Sequence, residues 1–460
     1  MQWHLASSAI AVWRQALSLR LARDYGAAVL QRSPGRKIAA TALATPHFLL
    51  LYAAMLVAAA GNTALQAVMP AIGREIGIAD FWVAIAYTWS AVLWVLFAPY
   101  WAEKSDRHGR KALTLLGVAG FIVSMLLCGL ILVAGLEGLI GGALTFLLFA
   151  FARAIYGLLG CATPSATQAY LASKTRRSGR VAALSALASS FGLGTIIGPA
   201  LAPLFVLPVL GLAGPLFAFT AIAIVVFGAI LAWLPNDRFG RRAGRGAAMS
   251  YPSLASQPTG ASVVAATAPR RRPRLQWKDG RIRPWILAGV AAGHAQAAIL
   301  TCIGFFVIDR LAIAPRGAEE PIAIVMMAGA AATLAAQWGL IPRLAVSPRS
   351  LIVWGSLVAA IGIAGTILAD NLYGITIGFA LTSTGFGLTR PGFTSGASLA
   401  VPLSEQGSVA GVITAANGIS FVAAPALGMA LYMLDPNIPF ALSALLLAGL
   451  AIWARRALGA

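Results

Sequence analysis

The stretch PYWAEKSDRHGRKAL (99–113) decides how this chain is built, because it concentrates six charged residues between two long apolar segments. The segments 80–102 and 112–135 each have the length, about 20 residues, that a helix needs to cross a bilayer. Hydrocarbon does not accept so many charges, so the stretch between them has to lie at the membrane surface. Gly109 would permit a sharp turn there, since glycine adopts backbone conformations that other residues avoid. Two membrane-spanning helices joined by a charged loop are therefore predicted.

The alternation of apolar segments and polar loops continues along the rest of the chain. Hydrophobic residues make up 59% of the 460 residues, charged residues only 10%, and the mean hydropathy is +0.82. A soluble domain carries about 25% charged residues, so this chain could not cover a water-facing surface. We predict an all-α membrane protein with twelve transmembrane helices, near 47–70, 80–102, 112–135, 141–171, 181–204, 213–234, 285–308, 321–341, 351–369, 372–400, 409–433 and 437–454.

The basic residues are distributed unevenly between alternate loops. If both termini are cytoplasmic, 29 of the 34 Lys and Arg residues fall on the cytoplasmic side and three on the other. Lys and Arg near the ends of spans stay in the cytoplasm, so we predict cytoplasmic termini. Membrane topology therefore explains the formal net charge of +20, which argues against a nucleic acid as partner.

A polar segment divides the chain into two groups of six spans. Residues 235–284 are rich in Arg, Pro, Ser, Gly and Ala and show no apolar periodicity. The segments 178–205 and 406–432 resemble each other, which indicates a duplicated six-span unit of the kind found in transporters. The predicted organisation is a cytoplasmic N-terminal extension at 1–46, an N-terminal six-helix bundle at 47–234, a cytoplasmic basic linker at 235–284, a C-terminal six-helix bundle at 285–454 and a cytoplasmic tail at 455–460.

The extension at 1–46 leaves three interpretations open. Ile10, Trp13, Leu17 and Leu21 would share one face of a helix, which is typical of a helix that lies in the membrane interface. The segment could equally be a disordered extension, or reflect a start codon assigned too early.

Two arginines are predicted inside apolar segments. Arg153 lies in FARAIYGLLG (151–160) and Arg390 in GFGLTRPGFTSG (385–396). A charge at the centre of a spanning helix costs about 2.5–3.5 kcal/mol or more, so each arginine should face a cavity or a partner. The two arginines could bind an anionic group of a substrate, or each could be structural and bond to backbone carbonyls.

The fifth predicted span contains GLGTIIGP (192–199), in which Gly194 and Gly198 stand four residues apart. Small residues at that spacing let membrane helices approach closely, and Pro199 would bend the helix. Elsewhere the four His and three Cys are scattered singly, with no HExxH, GxSxG or P-loop pattern. No metal site is predicted, and the chain is not expected to be an enzyme.

The charged loop resembles a signature of the major facilitator superfamily. The pattern Gly-x-x-x-Asp-Arg-x-Gly-Arg-Lys is matched by Asp106, Arg107, Gly109, Arg110 and Lys111, with Ala102 in place of the first glycine. The resemblance implies that these five matching residues form a charged latch between two halves of the protein. Together with the layout of six plus six spans, it implies the major facilitator fold, in two pseudo-symmetric bundles.

Three further motifs carry the same resemblance. Arg153 and Gly157 are similar to the family's fourth-span Arg-x-x-x-Gly signature, which implies a role for Arg153 in proton transfer. Gly194, Gly198 and Pro199 match part of the glycine series of the family's exporters. The first span resembles that of drug and tetracycline exporters, although Asn62 is uncharged where those proteins often carry an acid nearby. The chain looks closest to bacterial twelve-span drug–proton antiporters.

The residue that would carry a proton is harder to identify. No acidic residue lies clearly at the membrane midplane, and Asp80 and Asp309 lie at the outer ends of predicted spans. Asp309 is expected to pair with its neighbour Arg310. His294 has an unperturbed pKa of about 6.5 that suits proton exchange, or it is a hydrogen-bonded packing residue. Proton coupling is therefore expected at Arg153 and His294, chiefly on the strength of the resemblance.

A central cavity is predicted where polar side chains of different spans would meet. These side chains belong to the first, fourth, seventh, tenth and eleventh spans, mostly the helices that line the cavity in the family that this chain resembles. They are Asn62, Gln66, Arg153, Tyr156, His294, Gln296, Arg390 and Asn417.

Together these features predict a secondary transporter in the bacterial inner membrane. The leading hypothesis is proton-coupled efflux of small amphipathic molecules, drugs or a metabolite such as a siderophore, by alternating access. A proton-coupled importer of an organic anion or sugar is the alternative, and a non-transporting receptor on the same fold is a third hypothesis. No cofactor is expected, with the proton gradient as energy source. The expected partners are a small-molecule substrate and the lipid bilayer, with no nucleic acid, and the expected form is a monomer.

Overall fold

The computed structural model describes residues 46–174, 177–207, 210–236, 277–344, 346–401 and 405–458. The predicted N-terminal extension and most of the predicted linker lie outside these ranges. The three interpretations of the extension therefore stay open.

The described residues are helical almost throughout. Each of the twelve predicted apolar segments lies mainly within helical structure, and the fourth and eighth segments are each divided by a π-helical turn, Tyr156–Gly160 and Ala335–Leu340. The helices are α1 (Pro46–Glu75), α2 (Asp80–His108), α3 (Arg110–Leu136), α4 (Gly142–Ile155), α5 (Ala162–Lys174), α6 (Arg177–Leu201), α7 (Gly214–Trp233), α8 (Arg283–Leu311), α9 (Glu319–Leu334), α10 (Ile341–Leu344), α11 (Pro348–Leu368), α12 (Leu372–Leu399), α13 (Gln406–Tyr432) and α14 (Ile438–Ala457).

Within the described ranges, ten helical segments are long and apolar enough to cross a membrane. Two long helices remain: α6 contributes a shorter apolar stretch in its described part, Ser189–Leu201, and α12 is outside the group although it has 28 residues. In α12 the reason is composition, because Thr, Ser and Gly interrupt its apolar residues. The prediction of an all-helical membrane protein is confirmed, whereas the number of twelve spans and the location of the termini stay predictions.

One residue, Gly109, joins α2 to α3. The first helix ends at His108 and the second begins at Arg110, and Gly109 has a φ of 97°. This conformation is disfavoured for residues with a Cβ atom, so the junction requires glycine. The charged stretch from which the fold was predicted is therefore a tight connection between two helices.

We call α1–α7 the first helix set and α8–α14 the second. Within the first set, α6 packs backbone to backbone on α1. A methyl group built on Gly198 would lie 2.2 Å from the Ala60 carbonyl oxygen, and one on Gly194 would lie 2.7 Å from the Leu56 carbonyl oxygen. Glycine at both positions is therefore what permits this approach.

The second set contains a comparable contact between α11 and α12. A methyl group on Gly362 would lie 2.3 Å from the backbone nitrogen of Thr382, and one on Gly385 would lie 2.4 Å from that of Ala359. The two sets meet where α2 packs against α13 and α6 against α9. These close contacts hold each set together and leave the facing helices to form the site.

We predict that Gly198→Ala lowers the stability of the protein by about 1–3 kcal/mol, because the added methyl group would overpack the contact with α1. Thermal unfolding in detergent would measure the loss. The matched control is Gly228→Ala, since a methyl group at that exposed helical position meets nothing within 4 Å. Equal unfolding temperatures for the two variants would contradict this account of the α1–α6 contact.

Candidate functional site

At one end of the helices, ion pairs connect the two sets. Arg74, at the end of α1, donates to both carboxylate oxygens of Asp80 at 3.2 and 2.7 Å. The same guanidinium donates to both carboxylate oxygens of Asp309 on α8, with Nη2 at 2.8 Å. The Tyr432 hydroxyl donates to Asp309 at 2.6 Å. We call this end of the molecule, defined by Arg74, Asp80 and Asp309, the ion-pair end.

The partner of Asp309 corrects the expectation from the sequence. Arg310 does not pair with Asp309 but donates to the carbonyl oxygens of Ala369, at 3.0 Å, and Ile367. Because successive helical residues point in different directions, Asp309 can face the first set while Arg310 bonds within its own set. A second ion pair across the sets, between Arg316 and Glu75 at 2.7 Å, reinforces the closure of this end.

Between the two sets lies a cavity of about 700 Å³, a volume that includes space open to solvent. Its lining residues come from α1, α6, α8, α9, the π-helical turn after α9, and α12. They are Thr63, Thr195, Gln296, Ile299, Leu300, Met326, Gly329, Ala330, Thr333, Gln337, Phe379, Ser383, Phe386 and Arg390.

The lining residues form stripes along the helices. In α12, Phe379, Ser383, Phe386 and Arg390 follow one another at intervals of four, three and four residues, which places them on one helical face. At 1.5 Å per residue, this stripe extends for about 16 Å along the helix. Gln337 lies in the π-helical turn Ala335–Leu340, a type of distortion that is frequent at functional sites.

Two of the eight residues predicted for the cavity, Gln296 and Arg390, line it. The other six do not lie among its lining residues. Sequence reasoning did not identify Thr195, Thr333, Gln337 and Ser383. Their signal was available as polar residues at helical spacing within apolar spans, but the spacing alone does not say which face of a helix points inward.

Arg153 lies in a separate, buried environment, only 3% exposed. Its Nη2 donates to Asn62 Oδ1 at 2.8 Å, and its Cζ lies 5.3 and 5.0 Å from the ring centres of Tyr87 and Tyr156. Such contacts attract a cation to the face of a ring. Among the described residues, no carboxylate lies within 4 Å of the guanidinium, and Nε and Nη1 have no hydrogen-bond acceptor.

The backbone that carries Arg153 is held by side chains of two neighbouring helices. Ser90 of α2 donates to the Arg153 carbonyl oxygen at 3.0 Å, and Ser124 of α3 donates to that of Ala152 at 2.7 Å. A methyl group on Gly157 would lie 2.3 Å from the Ser90 carbonyl oxygen, so glycine allows α2 to approach. In the Arg-x-x-x-Gly pattern the arginine is thus the buried cation, and the glycine leaves the room that the neighbouring helix α2 needs.

The remaining predicted cavity residues differ in their contacts. His294 Nδ1 lies 2.8 Å from the Val290 carbonyl oxygen of its own helix, and His294 is not among the residues that line the cavity. Gln66 and Asn417 are buried, and within the described part of the chain the Gln66 amide and Asn417 Nδ2 have no hydrogen-bond partner. Buried polar groups without partners are rare, so these positions mark polar interior that is not part of the cavity lining.

The predicted latch is only partly described. Lys111 donates to the Leu231 carbonyl oxygen at the end of α7, at 2.8 Å, and Arg110 is buried. A cation at the C-terminal end of a helix compensates its unpaired carbonyl groups. The side chains of Asp106 and Arg107 lie outside the described part of the structure.

Just before α8, Arg281 connects the segment that precedes the second set to the loop after α12. It donates to Asp279 at 3.1 and 2.8 Å, and its Nη2 lies 3.0 Å from Glu405. These hydrogen bonds hold the pKa of the Asp279 carboxyl below its usual range. The contact therefore holds the beginning of the second set close to Glu405.

We predict that Asn62→Leu lowers the stability by about 1–3 kcal/mol, because Arg153 would lose the one acceptor that the described residues offer its guanidinium. Asn62→Asp is the matched control, since it keeps an acceptor at the same position and adds a compensating charge. Unfolding temperatures in lipid nanodiscs would compare them. A leucine variant as stable as the aspartate variant would show that the hydrogen bond contributes nothing.

We predict that Asp309→Asn opens the ion-pair end more often than Asp80→Asn does. Arg74 keeps Asp80 as its partner in the first variant, whereas the second variant retains the ion pair across the sets. The population of molecules in which the ion-pair end is open should change about fivefold at most, because partly exposed ion pairs contribute about 0–1 kcal/mol.

Spin labels on cysteines introduced at Ala79 and Ala314 would report the distance between the sets at this end. Both positions are exposed, and the three native cysteines are buried. Longer distances in Asp309→Asn alone are expected. The same distance distribution in both variants would contradict the assignment.

The model of the Major Facilitator Superfamily matches residues 51–425. Sequence relatives include the multidrug resistance protein MdtG of Proteus mirabilis, 29% identical over 147 residues, and the class B tetracycline resistance protein of Escherichia coli, 29% identical over 163 residues. These alignments cover 30% and 32% of this chain and 33% of each relative, so the similarity spans about a third of their length.

The structural comparison extends over nearly the whole chain. The crystal structure of the human organic anion transporter MFSD10 (TETRAN) matches with a TM-score of 0.60 at 16% identity, covering 92% of this chain and 100% of that one. A likeness at so low an identity shows the fold alone. The family match, however, runs through both helix sets, and the chain therefore belongs to the Major Facilitator Superfamily.

Proposed function

We propose that the protein is a secondary active transporter that exports small amphipathic molecules in exchange for protons, by alternating access. Proteins of this superfamily are transporters rather than enzymes. The observation that carries the proposal is a cavity lined by both helix sets and lying away from an end that ion pairs close. Two sets that rock about such a cavity can expose it to each side of a membrane in turn.

The proposed orientation follows from the basic loops. Placing 103–111 and the linker in the cytoplasm puts the ion-pair end on the outer side and, in this conformation, the cavity toward the cytoplasm. Both termini are then cytoplasmic, and the described helices supply twelve spans in two bundles of six. We infer the bacterial inner membrane as location, with the protein acting as a monomer, with no cofactor, and with substrate and lipid as its only partners.

Proton coupling is supported by the environment of Arg153. An arginine does not give up its proton, so it acts through its charge. A buried cation that has only neutral groups around it attracts any negative charge that enters its surroundings. In this proposal Arg153 senses the charge state of the transport site, His294 carries the proton in the second set, and Asp106 with its neighbours adjusts the equilibrium between conformations.

The test is proton release from inside-out vesicles that contain the protein, with a panel of lipophilic drugs and siderophores. An exported compound should collapse an imposed pH gradient in the wild type. Arg153→Ala and Asp106→Asn should lose this response, whereas Arg343→Gln should retain it, because Arg343 is exposed and lies outside the cavity. A gradient unaffected by every compound would refute export.

The second candidate is a proton-coupled importer of an organic anion or sugar. The presence of Arg390 in the cavity lining favours an organic anion as cargo, and the structural neighbour MFSD10 is described as an organic anion transporter. Uptake of an organic acid by whole cells, together with no response in the vesicle assay, would select import.

A further inference from the structure

A second pocket lies at the ion-pair end and shares no lining residue with the cavity. Its lining includes Val133, Leu136, Glu137 and Leu212 of the first set and Arg316 and Glu319 of the second. It leaves about 320 Å³ accessible to water, which is within the range of small-molecule sites, about 300–1,000 Å³. We call it the end pocket.

Glu137 is the charged group of the end pocket that has no partner. It follows Leu136, the last residue of α3, and its carboxylate makes no hydrogen bond or ion pair with any residue that the structure describes. A carboxylate at the C-terminal end of a helix meets the negative end of the helix dipole, which is unfavourable. Glu137 therefore does not stabilise α3, and its charge is available to a ligand.

The other two charged groups of the lining already have partners within the protein. Arg316 Nε lies 2.7 Å from Glu75 Oε1, in the ion pair across the sets. Glu319 begins α9, whose N-terminus compensates a carboxylate, and its Oε2 accepts a hydrogen bond from the Gly317 backbone N–H at 2.8 Å. The uncompensated charge of the end pocket is therefore that of Glu137, and it is negative.

The surroundings of the end pocket have the same sign, in contrast to the formal net charge of +20 of the chain. Among the described residues of the helix ends and connections at the ion-pair end, eight are acidic and three are arginines. These residues lie within 74–80, 136–142, 309–320, 368–372 and 432–438. An excess of negative charge raises the local concentration of cations.

The chemistry of the lining favours an organic cation over a metal ion. Calcium takes six to eight oxygen ligands and magnesium an octahedron, and the described part of the chain contains no group of three or more His, Cys, Asp or Glu that could hold a metal ion. Beside Glu137 the pocket instead has apolar walls, to which Val133, Leu136 and Leu212 contribute. An ammonium group on an apolar body suits both, because its charge pairs with the carboxylate while the body leaves water.

We propose that the end pocket binds an amphipathic organic cation whose ammonium group pairs with Glu137. Such a ligand lies between the first and the second helix set. Opening of the ion-pair end would separate the two parts of the lining, so the ligand binds the closed conformation and keeps this end closed. The site is separate from the cavity, and its ligand is additional to any transported substrate.

Two probes that share one aromatic body test the class of ligand. Naphthylmethylamine is cationic at about pH 7, whereas naphthylmethanol has nearly the same shape and is neutral. Calorimetry on the full-length protein in phosphatidylcholine nanodiscs, with empty nanodiscs as the blank, would give their affinities. The amine should bind more tightly than the alcohol.

Three variants locate the binding. Glu137→Gln should weaken binding of the amine about fivefold, as expected for loss of a partly exposed ion pair, and leave binding of the alcohol unchanged. The matched control is Glu320→Gln, which removes the same charge at the same end but is exposed and outside the lining, and should bind like the wild type. Val133→Thr keeps the shape of the apolar wall and should weaken both probes alike.

The spin labels at Ala79 and Ala314 test whether the ligand connects the sets. In Asp309→Asn, the variant expected to open more often, the amine should shift the distances between the labels to shorter values. Equal affinities for amine and alcohol, equal effects of Glu137→Gln and Glu320→Gln, or distances that do not shorten would each overturn the proposal.

These measurements do not require transport, so their outcome is separable from that of the vesicle assay. Binding of the amine with the expected variant profile, in a protein that transports nothing, would leave the end pocket standing and refute the transporter. Transport of a compound, with no difference in amine binding between Glu137→Gln and Glu320→Gln, would do the reverse.

Discussion

Hydrocarbon offers no partner to a charge or a hydrogen-bonding group, and this constraint accounts for how most polar side chains in the helices are placed. Hydroxyls within the helices mainly donate to the carbonyl one turn earlier, as Thr114 does to Arg110 at 2.8 Å and Thr382 to Gly378 at 2.8 Å. Polar groups that cannot bond locally are brought together with groups from other helices, and those meeting points are where function can arise.

Arg153 shows the constraint at its strongest. Its charge is accommodated by one amide and two tyrosine rings from three different helical segments, with hydroxyls of α2 and α3 holding its backbone. This arrangement stabilises the arginine without neutralising it. At the ion-pair end the charge of an arginine is instead neutralised, because Arg74 has a carboxylate partner on each side of the boundary between the sets. Because Asp80 of its own set also pairs with Arg74, the bond to Asp309 across the sets can break without leaving Arg74 unpaired.

The two helix sets divide the polar chemistry between them. The first set buries Arg153 outside the cavity lining, whereas the second set presents Arg390, two glutamine amides and a serine to the cavity. Close glycine contacts make each set a compact unit, α1 with α6 and α11 with α12. Because the contacts within each set involve close backbone approach and those between the sets at the ion-pair end involve ion pairs, opening of this end would break ion pairs and leave the glycine contacts within each set intact.

The amino-acid sequence by itself determined the class of the protein. Apolar length and the charged stretch 99–113 were enough to predict a helical membrane protein, because solvent and helix geometry act on each segment separately, and the resemblance of that stretch to a loop signature indicated the family. The sequence also identified Arg153 as a charge that needs a special environment, and Gln296 and Arg390 as residues of a polar site.

Only the tertiary structure decided which polar residues meet. Asp309 is beside Arg310 in sequence but bonds to Arg74, and Asn62 bonds to Arg153 while Thr63, the next residue, faces the cavity. A stripe of residues at helical spacing has the same pattern whether it faces lipid, a neighbouring helix or a cavity. Which of these it meets depends on the rotation of each helix about its axis, and that rotation is set by packing against residues far away in the chain.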